Sequence, residues 1–122
     1  MSGAWIGLGA LLCAISIAAG AFGAHGLRAR LDVDALALWE TSARYLMYSG
    51  LGTVLIAVAS RPVGGRLYVW AAGSLVVGAL VFCGTVAVLA LGGPRWLGAV
   101  TPIGGLLMIV GFLLFSIAAF RV

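Results

Sequence analysis

The chain has 122 residues, of which 64% are hydrophobic and 8% charged, and a mean hydropathy of +1.24. Soluble domains carry about 25% charged residues, so this chain cannot cover a water-facing surface and lipid is the expected solvent. Its net charge of +4 comes from arginines set singly at links and helix ends, where the side chains snorkel to lipid phosphates, and the missing basic patch with interleaved aromatics excludes nucleic acid as a partner.

Three polar breaks leave four apolar stretches, at approximately 5–24, 43–60, 67–91 and 101–120. Each is close to the ~20 residues a helix needs to cross a bilayer. No Lys or Arg precedes the first stretch, and it outruns the apolar core of a secretory signal, so it reads as a permanent first helix. Gly3, Gly7, Ala10, Ala14 and Ala18 form a small-residue stripe along it. Such a stripe lets another helix approach closely. Gly20, Gly23 and Gly26 weaken its end, and Gly26 is the expected C-terminal stop.

The first link holds all the acidic residues: Asp32, Asp34 and Glu40. Asp34 is the predicted N-cap of a short interfacial helix through Leu36, Ala37 and Trp39, with Trp39 as its headgroup anchor. This helix either bends or runs directly into the second span. There Thr41, Tyr45, Tyr48, Ser49 and Gly52 share one side, which must face protein or trapped water to satisfy its hydroxyls. Arg44 lies within reach of headgroups or of the acidic link.

Arg61-Pro62-Val63-Gly64-Gly65-Arg66 is a turn by composition, short enough to make spans two and three antiparallel neighbours. Span three places Ser74 and Gly78 one turn apart, then Phe82, Cys83, Gly84 and Thr85. Gly92-Gly93-Pro94-Arg95-Trp96 breaks the chain again. Thr101-Pro102 opens the fourth span, with proline in the first helical turn, and Gly104, Gly105 and Gly111 supply close contacts. Four spans put both termini on one side, with Arg61, Arg66 and Arg121. Arg28, Arg30, Arg44 and Arg95 lie opposite, and this distribution does not select an orientation.

The predicted fold is all-α: one membrane domain over residues 1–122, an integral four-helix bundle with a short interfacial helix between spans one and two. The predicted packing residues are Gly3, Gly7, Ala14, Ala18, Gly78, Gly104 and Gly105. Cys13 and Cys83 read as small fillers inside spans. The candidate polar or ligand-contact residues are His25, Arg44, Tyr45, Tyr48 and Ser49. For His25 two readings stand: a proton carrier or ligand contact beside the tyrosine side, or an interfacial group that satisfies the last carbonyls of span one. For Tyr45, Tyr48, Ser49 and Thr53 the alternatives are a lined passage or pocket and interhelical hydrogen bonding. One histidine makes no metal site, no nucleophile has a base beside it, and the Gly20–Gly26 run follows no strand. Neither cofactor nor metal is expected, no catalytic residue is assigned, and the chain is not expected to be an enzyme.

Three blocks carry a family resemblance: Gly20-Ala-Phe-Gly-Ala-His-Gly-Leu27, Trp39-Glu-Thr-Ser-Ala-Arg-Tyr-Leu-Met-Tyr48, and Phe82-Cys-Gly-Thr85 continuing through Leu97-Gly98 to Thr101-Pro-Ile-Gly-Gly105. In order and spacing the chain resembles domain-of-unknown-function family 423, the YgdD-like or transmembrane-protein-256-like proteins. The resemblance implies a multi-pass protein of the bacterial inner membrane with no established activity. The family pattern has a His directly after the Tyr at the position of Tyr48, where this chain has Ser49, and often Phe-Ser-Gly-Ser where Phe82-Cys-Gly-Thr85 stands. A two-histidine device is therefore not available here.

The expected role is structural or accessory: a unit that self-associates or packs against other membrane proteins in the cell inner membrane. The alternative is a small channel or transporter for a neutral solute, lined by the polar side of span two. Small multidrug exporters depend on a carboxylate within the first helix, where this chain has Cys13, Ala14 and Ser16. The asparagine-bearing pore of small fluoride channels has no counterpart, since the sequence contains no Asn.

Overall fold

A computed structural model describes all residues, 1–122, and every element is helical. Helix α1 spans Gly3–Phe22 and widens into a π turn over Gly23–Leu27; α2 spans Val33–Ser60, α3 Arg66–Ala90 and α4 Leu97–Phe120. Three helices are long and apolar enough to cross a membrane: α1 with its π turn (Gly3–Leu27), α3 and α4. Helix α2 has 28 residues, about 42 Å at 1.5 Å per residue, and is the most polar of the four.

Of the two alternatives for the first link, the helix runs directly into the second span: Val33–Trp39 are the opening turns of α2 itself, and no separate interfacial helix stands between the spans. The N-cap is Asp32 rather than Asp34: its carboxylate accepts a 2.8 Å hydrogen bond from the Ala35 N–H, while Asp34 lies in the first turn, where a negative charge complements the helix dipole. No breaker separates Asp34 from Ser42, so the helix continues. At the end of α1, Gly26 is no left-handed stop, since the positive-φ residues are Gly64, Gly65 and Gly92. Helix α4 starts at Leu97 rather than Thr101, which places Pro102 inside the helix.

The helices pack in chain order, antiparallel: α1 on α2, α2 on α3 and α3 on α4. Helix α2 touches α4 only lightly, and no packed interface joins α1 to α4. The expected bundle is therefore an open series. Helices α2 and α3 are central, with ten buried residues each, against three on α1 and four on α4. Lipid tails are as apolar as leucine, so α1 and α4 gain little from closing the ring.

Two reciprocal glycine pairs set the tight crossings. A Cβ on Gly9 would lie 2.7 Å from the Gly50 carbonyl oxygen, and one on Gly50 2.8 Å from the Gly9 oxygen. At the α3–α4 crossing, a Cβ on Gly78 would lie 2.7 Å from the Gly104 oxygen, and one on Gly104 2.8 Å from the Gly78 oxygen. Of the predicted packing residues, Gly78 and Gly104 lie at this crossing, and Gly105 is half-buried beside Phe82. Gly3, Gly7, Ala14 and Ala18 are exposed, with open space around Gly3 and Gly7. At 100° per residue their stripe lies nearly opposite the Gly9, Leu12 and Ser16 face buried on α2.

The turn between α2 and α3 depends on backbone freedom. Gly64 has φ +66° and Gly65 φ +117°, conformations that side chains disfavour.

Gly104→Ala is expected to lower stability by about 1–3 kcal/mol, the scale of overpacking against rigid backbone. Gly7→Ala, in open space, should not lower it. Unfolding of the purified variants in mixed micelles checks both.

Candidate functional site: a hydroxyl-stitched end and a tyrosine cleft

Polar side chains inside an apolar helix must find partners, and in this chain several find them on the next helix. Ser16 Oγ of α1 donates to the Ala43 carbonyl of α2. One residue earlier on α2, Ser42 Oγ donates in the other direction, to the Cys83 carbonyl of α3 at 2.7 Å. Ser74 Oγ of α3 donates to the Leu107 carbonyl of α4 at 2.7 Å. Thr85 and Thr101 share a 2.6 Å hydroxyl–hydroxyl bond between the same two helices. These bonds join the four helices in series, and no buried side-chain nitrogen or oxygen is left without a partner.

The stitch extends to the π turn. Trp39 Nε1–H donates to the Ala19 carbonyl at 2.8 Å, and its ring meets Phe22 edge-on, centroids 6.1 Å apart. Gly23 makes this possible, because a Cβ there would lie 2.6 Å from the indole Cδ1. Trp39 thus anchors α2 to α1. Gly26 is close-packed in the same way, against the Phe22 ring.

The predicted polar residues divide. Ser49 is 1% exposed and Thr53 fully buried. Ser49 Oγ donates to Met108 Sδ at 3.2 Å, and Thr53 Oγ1 to the Ser49 carbonyl at 2.8 Å. Tyr45 and Tyr48 point outward, edge-on at 5.3 Å, with Tyr45 5.2 Å from Phe82. With Phe82, Met108 and Phe112 they line an open cleft of about 380 Å³ between α2 and α4. The cleft offers two phenols and apolar walls, without carboxylate, imidazole or thiol, so it suits an apolar group and not acid–base chemistry.

His25 lies apart from this cleft. It is exposed on the π turn, and the pairing of Ser16 with Ala43 and of Gly9 with Gly50 places Tyr48 about 20 Å away along the helix axis. Arg44 is likewise exposed. No group of three or more His, Cys, Asp or Glu side chains gathers anywhere that could hold a metal ion. Cys13 and Cys83 are free; Cys13 Sγ occupies the space beside Gly50, and Cys83 contributes its carbonyl. Ser16, Ser42 and Ser74 are not among the candidate polar residues expected from the sequence. Their signal was available: a hydroxyl in the middle of an apolar helix has to bond across it or back along it.

A model of a protein of unknown function, DUF423, matches residues 19–105. The chain belongs to the DUF423 family. Among its relatives, a UPF0382 membrane protein of Staphylococcus haemolyticus is 44% identical over 93% of both chains. One of Staphylococcus saprophyticus is 41% identical over 94% of this chain and 95% of its own, and one of Staphylococcus epidermidis 41% identical over 93% of both. No solved structure matches. This DUF423 chain is accordingly a multi-span helical membrane protein of an uncharacterised family. The residues matched by the family model include the π turn, Trp39, Ser42, Thr85 and Thr101, which the fold gathers at the end remote from the termini.

Trp39→Phe keeps a ring beside Gly23 and removes the indole N–H. An interhelical bond of this kind averages about 0.6 kcal/mol, and a loss of that order is expected in mixed-micelle unfolding. Gly23→Ala, which displaces the ring, should cost more, about 1–3 kcal/mol.

Proposed function

We propose that this chain is a non-catalytic structural or accessory unit of the cell inner membrane. It crosses four times and associates with itself or with other membrane proteins through the outer face of α1. The fourth crossing is α2, whose serine and threonine hydroxyls are bonded to neighbouring helices or back along α2 itself and whose length suffices. Its polarity is then directed at protein and at the tyrosine cleft rather than at lipid tails.

One observation carries the association. The chain builds its own crossings from small residues in close approach, Gly9 on Gly50 and Gly78 on Gly104. A second set on α1, Gly3, Gly7, Ala10, Ala14 and Ala18, faces away from the rest of the chain with no intrachain partner. The open series supports this reading, since α1 is an edge with one face used. A solute passage has less support: it would need free hydroxyls along α2, and those of Ser49 and Thr53 are bonded inside.

Cysteine cross-linking in native membranes tests it. In a Cys13→Ala/Cys83→Ala background, Ala14→Cys should give a dimer or a larger adduct on mild oxidation. Leu113→Cys, on the exposed face of α4, should not. Adducts from neither variant, or equally from both, would refute the assignment of the α1 face.

A further inference from the structure

The end of the molecule that carries the termini holds a cleft of about 440 Å³. Its walls include Gly64, Gly65, Arg66, Tyr68, Ala118 and Arg121, from the α2–α3 turn, the start of α3 and the end of α4. We propose that it is a phosphate-binding site, occupied by the headgroup of an anionic phospholipid.

The side-chain charge around the cleft is of one sign. The acidic side chains of the chain are Asp32, Asp34 and Glu40, all at or near the start of α2, whereas the cleft begins past its end, about 40 Å along the axis. Arg66 and Arg121 therefore both border the cleft, and no carboxylate side chain does. Helix α3 adds to the field: Gly65 offers no side-chain cap, and the first turn contains no acidic residue. The free N–H groups there point into the turn, as at anion sites on helix N-termini.

Tyr68 is an independent indication. The residue is only 5% exposed, its ring packs edge-on against Phe115 at 6.3 Å, and it lines the cleft. Its hydroxyl takes part in none of the side-chain hydrogen bonds of the protein. Every sealed polar side-chain atom has a partner, so this one opens onto the cleft. A nearly buried phenol held by packing, free to donate, beside two guanidinium groups and uncapped backbone N–H groups fits the oxygens of a phosphate. A basic pocket between spans at headgroup depth is the setting in which anionic lipids are held.

The test is native mass spectrometry of the whole chain released from nanodiscs containing equal phosphatidylglycerol and phosphatidylcholine. The wild type should retain phosphatidylglycerol in preference to phosphatidylcholine. Arg66→Gln and Arg121→Gln should each reduce that retention about tenfold, the scale of one charge-assisted hydrogen bond. Tyr68→Phe, which keeps charge and packing, should reduce it severalfold, and Arg61→Gln, outside the cleft, should leave it unchanged. A parallel arm adds inorganic phosphate to protein in phosphatidylcholine alone. Binding there that depends on Arg66 and Tyr68 supports the phosphate site and assigns free phosphate as its source. Retention that is equal in Tyr68→Phe and wild type, or that falls as much in Arg61→Gln as in Arg66→Gln, would overturn the proposal, because it would mean diffuse charge attraction without a built site.

Discussion

Close approach of backbone to backbone is the constraint on which the rest of this structure depends. In lipid the association of helices gains nothing from removing apolar surface from water, and contact has to come from dispersion and hydrogen bonds at short range. The two reciprocal glycine pairs supply that range. Each sets a carbonyl oxygen where the other glycine's side chain would begin, so neither position tolerates a Cβ unless the helices separate. The hydroxyl bonds follow from this. Ser16 reaches Ala43, and Ser74 reaches Leu107, because short side chains span the gap only where the axes are already near. A serine has one rotatable bond before its oxygen, and a wider crossing would leave it bonded back along its own helix, as Ser60 is to Ala57.

The central α2–α3 interface solves the same problem differently. It has no reciprocal glycine pair. Ala71, Ala72 and Ala79 on α3 are fully buried and keep that face shallow, and Gly52 on α2 makes room for Leu75 and the Phe112 ring. Ser42 then crosses to Cys83. The outer helices are each held by one strong crossing, and the inner two by a broad, smooth one. This division explains why α1 and α4 need not meet: each satisfies its small and polar residues on a single neighbour and leaves branched and aromatic side chains to lipid.

Much of this was legible in the sequence, and the part that was not has a physical reason. Four helices, their turns at Pro62–Gly65 and Gly92–Pro94, and the contact role of Gly78 and Gly104 follow from apolar length and breaker residues. The face of α1 does not. Small residues recur on both its sides, at Gly3, Gly7, Ala14 and Ala18 and again at Gly9, Cys13 and Ser16, and hydrophobic periodicity cannot separate them because lipid and protein interior are equally apolar. Ser16 was the discriminating residue, since a hydroxyl must face a partner. The start of α2 was obscured for another reason. Charged residues suggested an interfacial helix and left open whether it bends or continues; Ala35, Leu36, Ala37 and Leu38 are good helix formers, and nothing in them ends the helix before the second span. The π turn has no sequence signature beyond the glycines that the Trp39 and Phe22 rings require.

The polar chemistry of the candidate site is therefore better understood as part of the fold than as machinery resting on it. The family model covers residues 19–105, and within that range the hydroxyls of Ser42, Ser49, Thr53, Ser74, Thr85 and Thr101 all bond protein groups. A transport path or an active centre needs groups that can exchange partners. The polar side chains left free are the guanidinium groups, His25, Asp34, Glu40 and three phenols, and all of these lie toward the ends of the helices or in the outward cleft. Chemistry directed beyond the chain has to begin from those groups. The tyrosine cleft carries no charge to distinguish one apolar occupant from another, whereas the end with Arg66, Arg121 and Tyr68 combines side-chain charge of one sign, uncapped backbone donors and a rigidly held hydroxyl. Selectivity for a ligand requires several such constraints at once, and in this molecule only that end combines them.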